Sequence, residues 1–106
     1  MVHKRNKGNR VERLAVKELE DDGWKVYRVK GSTRFNKSVD LFGLFDILAI
    51  KKVINNTLYK FIQVKSNKKP ILEPFKAFVD EYQDDYNLFE IWVKKDGIKL
   101  FYKYKL

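Results

Sequence analysis

Between Asn9 and Asp22 the apolar residues Val11, Leu14, Ala15 and Leu19 recur at helical spacing, and Gly23 follows as a stop signal, which predicts an amphipathic first helix. Trp24 to Val29 is β-branched and aromatic, bounded by Gly31-Ser32, and reads as a strand. A polar stretch from Gly31 to about Gly43 predicts a long loop, of the kind that often carries function. Phe45 to Ile50 is apolar around a single acid and suits a buried strand, and Leu58 to Lys65 is a third strand, with Asn55-Asn56 as the turn of the hairpin these two form. Beyond Pro70 and Pro74, the residues Phe75, Phe78, Val79 and Tyr82 share one helical face, predicting a second helix that ends before Asn87. Leu88 to Val93 and Ile98 to Tyr104 are strand-like and joined through Asp96-Gly97, a hairpin dipeptide. The predicted order is α-β-β-β-α-β-β, an α/β fold with helices flanking a mixed central sheet.

Length and composition narrow this picture. The chain of 106 residues predicts a single domain, with residues 1–8 a flexible basic tail. It contains no cysteine, which removes zinc-finger, disulfide-scaffold and thiol-catalysis readings and fits a reducing compartment, with the cytoplasm as the expected location. A charged, helix-like stretch follows the N-terminus in place of an apolar signal core, and Gly43 and Asp46 interrupt the longest apolar run, so neither a signal peptide nor a membrane span is expected. Lys and Arg outnumber Asp and Glu by 23 to 14, a formal charge of +9 that attracts polyanions and favours nucleic acid as partner. Charge by itself also suits ribosomal, membrane-surface and merely soluble proteins.

Two polar interruptions of apolar strands carry the candidate chemistry. Asp46 lies in Leu44-Phe45-Asp46-Ile47-Leu48, where burying a carboxylate calls for a cation, a hydrogen-bond network or a metal. An Asp facing solvent at a strand end is the plain alternative. In Phe61-Ile62-Gln63-Val64-Lys65, Gln63 and Lys65 are two apart and share a face, and antiparallel pairing would set Asp46 beside them. Those oxygens suit Mg²⁺ or Mn²⁺. Read alone, Gln-Val-Lys fits a solvent-facing edge strand equally well, and Glu12 fits a solvated helix acid. His3 is the only histidine and no Walker loop is present, which argues against serine-hydrolase chemistry and ATP use.

Phe45-Asp46 followed by Gln63-Val64-Lys65 resembles the PD-(D/E)XK nuclease superfamily, in which an acid on one strand precedes an acid-x-Lys triplet on the next. Gly8-Asn9-Arg10-Val11-Glu12, Gly23 to Arg28, Gly31-Ser32 and Gln63 to Ser66 are similar, within it, to archaeal-type Holliday junction resolvases. The resemblance covers about residues 8 to 69. It implies a restriction-endonuclease-like fold, Glu12, Asp46, Gln63 and Lys65 as catalytic residues, and Ser32 as a contributing loop serine that also reads as an ordinary turn residue. It further implies a Mg²⁺ or Mn²⁺ ion held by Asp46, Gln63, the Val64 carbonyl and Glu12. Phe45 stands where the signature has proline, and Gln63 where it has an acid, leaving one fewer negative charge. Asp40 is the reserve ligand or a simple loop residue.

DNA contacts are expected from Lys4, Arg5, Lys7, Arg10, Arg34, Lys37, Lys68 and Lys69, each of which also reads as a solubilising charge. The leading expectation is a homodimeric, Mg²⁺-dependent endonuclease acting on branched or four-way junction DNA. Phe89, Ile91, Trp92, Phe101, Tyr102 and Tyr104 are candidates for either its dimer face or its core. A restriction- or repair-like nuclease on duplex or flap DNA and a catalytically inactive basic DNA-binding module are the alternatives.

Overall fold

The computed structural model describes residues 4–29 and 41–106, the side chains of 4–8 excepted. Seven elements follow in order: α1 (Lys4–Asp21), β1 (Lys25–Arg28), β2 (Ile47–Val53), β3 (Asn56–Ser66), α2 (Glu73–Tyr82), β4 (Asn87–Lys94) and β5 (Tyr102–Lys105). This is the α-β-β-β-α-β-β order read from the sequence. Helix α1 begins five residues before the expected Asn9, so residues 4–8 are helical backbone and not tail. Gly8 and Asn9 are weak helix formers that mimic a boundary, and an established helix propagates through them toward Lys4. Its far end is set by Gly23, at φ +90, where the Gly23 N–H donates to Glu20 O and the Trp24 N–H to Leu19 O. That paired pattern stops the helix and turns Trp24 back onto Leu19 in the core.

The sheet runs β1-β2-β3-β4-β5, antiparallel except for the parallel β3-β4 pair that α2 connects. Side-chain alternation along β3 and β4 divides the core between two faces. Ile62, Val64 and Trp92 pack with Val11, Ala15 and Leu19 of α1, together with Ile47 and Ala49. Phe89, Ile91 and Val93 face the other way, onto Phe75 and Val79 of α2 and onto Phe45. In α2, Pro74 occupies the first turn, where no N–H is required, and Glu73 there complements the helix dipole.

Two turns differ from expectation. The β2-β3 ladder closes at Val53↔Asn56, so the hairpin turn is Ile54-Asn55, one residue earlier than Asn55-Asn56, and it holds Ile54 at φ +54. Asp96-Gly97 does turn, with Gly97 at φ +79, but β4 and β5 pair only from Val93↔Tyr102. Ile98 to Phe101 therefore belong to a broad loop and not to a tight hairpin. Phe89, Ile91 and Trp92 are buried and Phe101 and Tyr104 half-buried, so of the candidate dimer-face aromatics only Tyr102 is exposed. No described helix is long and apolar enough to cross a membrane.

Candidate active site

Asp46 stands one residue before β2, at the point where the sheet begins to open. Its N–H donates to Ile62 O at 2.9 Å, and its carbonyl accepts from the Val29 N–H at 2.9 Å. The carboxylate replaces the ladder partner that β2 no longer supplies: the Val64 N–H donates to Asp46 Oδ2 at 2.9 Å. The acid is thereby fixed against the middle residue of Gln63-Val64-Lys65. Because a strand residue's N–H and C=O leave the same edge, the Val64 carbonyl also points into the opening between β2 and β3. Gln63 is half-buried and Lys65 exposed; they pair with Ile91 and Val93 of β4 and share one face of the sheet. Asp46 is thus bonded to the backbone of the middle residue of this triplet.

Glu12 is tied to β1 by an arginine. Its Oε1 accepts from Arg28 Nε at 2.8 Å, and Arg28 Nη2 donates to Asn9 Oδ1 at 2.7 Å. The Glu12 and Arg28 side chains are 23% and 26% exposed, too enclosed for a merely solvated helix acid. Arg28 precedes Val29, which is bonded to the Asp46 backbone, so contacts run unbroken from Glu12 through β1 to Asp46 and Val64. Sequence reasoning did not single out Arg28. Its signal was available, since Arg28 ends an apolar strand five residues after the Gly23 stop, but no partner at sequence separation 16 is visible without the fold.

Among the described residues, no three His, Cys, Asp or Glu side chains gather in one group. The candidate oxygens on these strands are the Asp46 carboxylate, the Gln63 amide and the Val64 carbonyl, with Glu12 tied to Arg28. Arg10, Lys68 and Lys69 are exposed as expected, and the Lys69 ammonium lies 4.5 Å above the Tyr104 ring. Ser32, Arg34, Lys37 and Asp40 lie outside the described residues, as do the side chains of Lys4, Arg5 and Lys7.

A cleft of about 340 Å³ lies elsewhere, lined by Glu18, Leu19, Asp22, Lys60, Trp92 and Lys103. Its charges neutralise one another: Lys60 pairs with buried Glu90 at 3.4 Å, and Lys103 pairs with Glu18. Glu90 also accepts from Trp92 Nε1 at 2.8 Å. This cleft is a satisfied structural network.

Among solved structures, a 1.6 Å structure of Hjc, a Holliday junction resolvase from the archaeal hyperthermophile Archaeoglobus fulgidus, matches with a TM-score of 0.59 and 22% identity. The match covers 93% of this chain and 72% of that one, a likeness of fold. Comparison with curated proteins gives no match. A family model described as archaeal Holliday junction resolvase (Hjc) matches residues 3–79, a span that takes in α1, Arg28, Asp46 and the Gln63-Val64-Lys65 strand, and the chain belongs to that family.

Proposed function

We propose that this chain is a divalent-metal-dependent endonuclease that hydrolyses phosphodiester bonds in four-way DNA junctions, with Asp46, Gln63, Lys65 and Glu12 as its working residues. The observation that carries the reading is the Asp46 carboxylate held on the Val64 N–H, which fixes an anion, at an open strand end, on the strand that carries Gln63 and Lys65. That donor set is all hard oxygen, which fits Mg²⁺ or Mn²⁺, and its low count suits an ion that keeps several waters. Asp46, Gln63 and the Val64 carbonyl would hold the ion, and Glu12 would act on its waters from the Arg28 side. When bound, such an ion supplies Lewis acidity at the reacting phosphate.

The chain's own residues do the rest. Asp46 supplies the anionic charge, and its bond to Val64 spares it reorientation when substrate arrives. Lys65, exposed on the same strand, donates to phosphate oxygens and stabilises the negative charge that develops on them. Arg28 holds Glu12 in one rotamer. The exposed cations near the site grip backbone phosphates and position the duplex without reading its sequence. Symmetric cutting of a junction requires two equivalent sites, so the active species is proposed to be a homodimer.

The test is cleavage by purified protein of four-way junction, flap and linear duplex substrates across a Mg²⁺ and Mn²⁺ titration. The junction is expected to be cut in preference, and Lys65→Ala to lower the rate by about 10²- to 10³-fold with junction binding retained. Preference for flap or linear DNA would replace the junction reading with a repair-like one. Tight binding with no cleavage in either metal would make the chain a binding module, a reading that the neutral Gln63 favours.

A further inference from the structure

The loop between β4 and β5 is fastened to the exit of the candidate catalytic strand. Strands β3 and β4 are parallel, so they leave the sheet at the same edge, with Lys65 opposite Val93 and Ser66 opposite Lys94. Asn67 follows immediately in a left-handed conformation, φ +68, and its N–H donates to Lys94 O at 3.0 Å. Its side chain then grips the loop twice: Asn67 Oδ1 accepts from the Asp96 N–H at 2.9 Å, and Asn67 Nδ2 donates to Asp96 Oδ2 at 3.3 Å. Such a clamp gives the loop a defined position relative to Gln63, Val64 and Lys65.

What the clamp presents is positive charge. Lys95 and Lys99 are exposed, as are Lys68 and Lys69 on the adjoining segment. Among the described residues none of these four is ion-paired, whereas Lys17, Lys51, Lys60 and Lys103 all face acids. Asp96 is the only acid between Ile91 and Leu106, and Asn67 engages it. Lys95 Nζ lies 5.2 Å over the Tyr102 ring, an aromatic support that orients the ammonium and leaves its hydrogens available for anions.

We propose that the β4-β5 loop is a second phosphate-binding arm, in which Lys95 and Lys99 contact the DNA backbone flanking the cleavage point and the Asn67-Asp96 clamp sets their position. This rests on the reading of the protein as a DNA enzyme. Junction binding by the full chain is to be measured by fluorescence anisotropy without divalent metal, from 50 to 200 mM salt. The wild type is to be compared with Lys95→Ala/Lys99→Ala, Asn67→Ala and a control, Lys25→Ala/Lys52→Ala, whose lysines lie near the opposite strand ends.

Losing two phosphate contacts should flatten the log-log salt dependence by about 1.8 and weaken binding by between one and two orders of magnitude near 0.1 M salt. The control should leave the slope unchanged. Asn67→Ala keeps every charge, so reduced affinity in that variant reads loss of positioning and not loss of field. Equal slopes for Lys95→Ala/Lys99→Ala and wild type would overturn the arm, as would an equal loss in the control, which would mean a diffuse field. Failure of the wild type itself to bind junction DNA would instead defeat the proposed function.

Discussion

Leu44-Phe45-Asp46-Ile47 and Leu88-Phe89-Glu90-Ile91 are nearly the same four residues, an acid set in an apolar strand. Even their phenylalanines meet, in one cluster with ring centroids 6.0 Å apart. The two acids nonetheless have opposite fates. Glu90 lies within β4, between Ile62 of β3 and Lys105 of β5, where water is excluded and the carboxylate must be satisfied by protein. Lys60 and Trp92 do this on the α1 face. Asp46 precedes β2, where the sheet opens, and stays half-buried with its Oδ2 accepting from the Val64 N–H. An acid inside a strand becomes structure, whereas an acid at a strand end keeps part of its surface open to solvent. The difference comes from sheet position and not from neighbouring sequence.

The comparison is broken most sharply by truncating each acid in turn. Asp46→Ala should abolish cleavage at any metal concentration, and the Val64 N–H it leaves unpaired should cost about 1 kcal/mol of stability. Denaturant unfolding and single-turnover cleavage on the same preparation check both halves. Retained activity would move the site away from Asp46. Glu90→Ala leaves the enclosed Lys60 ammonium and Trp92 Nε1 without their acceptor and should cost about 3 kcal/mol, with cleavage per folded molecule unchanged. A stable Glu90→Ala protein that no longer cuts would reverse the assignment of the two acids.

Gln63 sharpens the contrast at the site itself. Replacing it with Ala should raise the metal concentration needed for half-maximal cleavage and leave metal-free DNA binding unaltered, whereas Gln63→Glu adds a charge among the oxygens and should lower that requirement. An unchanged requirement in Gln63→Ala would make it a surface amide, with Asp40 the next ligand to test. The smallest effect expected lies away from both acids. Ile54 is 87% exposed and β-branched at φ +54, so Ile54→Asn should stabilise the hairpin by about 1 kcal/mol with no change in activity. A shift in the urea midpoint at constant m-value checks it.

Element order was legible in the sequence because periodicity is local: the 3.6-residue spacing of Val11, Ala15 and Leu19 and the alternation through Ile62 and Val64 each encode one buried face. Gly23 was legible for the same reason, since a left-handed helix stop favours glycine whatever surrounds it. The polar interruptions at Asp46 and at Gln63 and Lys65 could likewise be read as departures from an apolar strand. The start of α1 at Lys4 could not, because helix propagation carries through weak formers once the rest of the helix is docked. Nor could the width of the β4-β5 loop, which depends on where two strands cease to pair. Tertiary structure alone decided that Arg28 ties Glu12 to β1, that Asn67 clamps Asp96 and that Glu90 is buried against Lys60. Each joins side chains far apart in the chain, and a single sequence encodes which groups need partners but not which distant residue the fold will deliver to them.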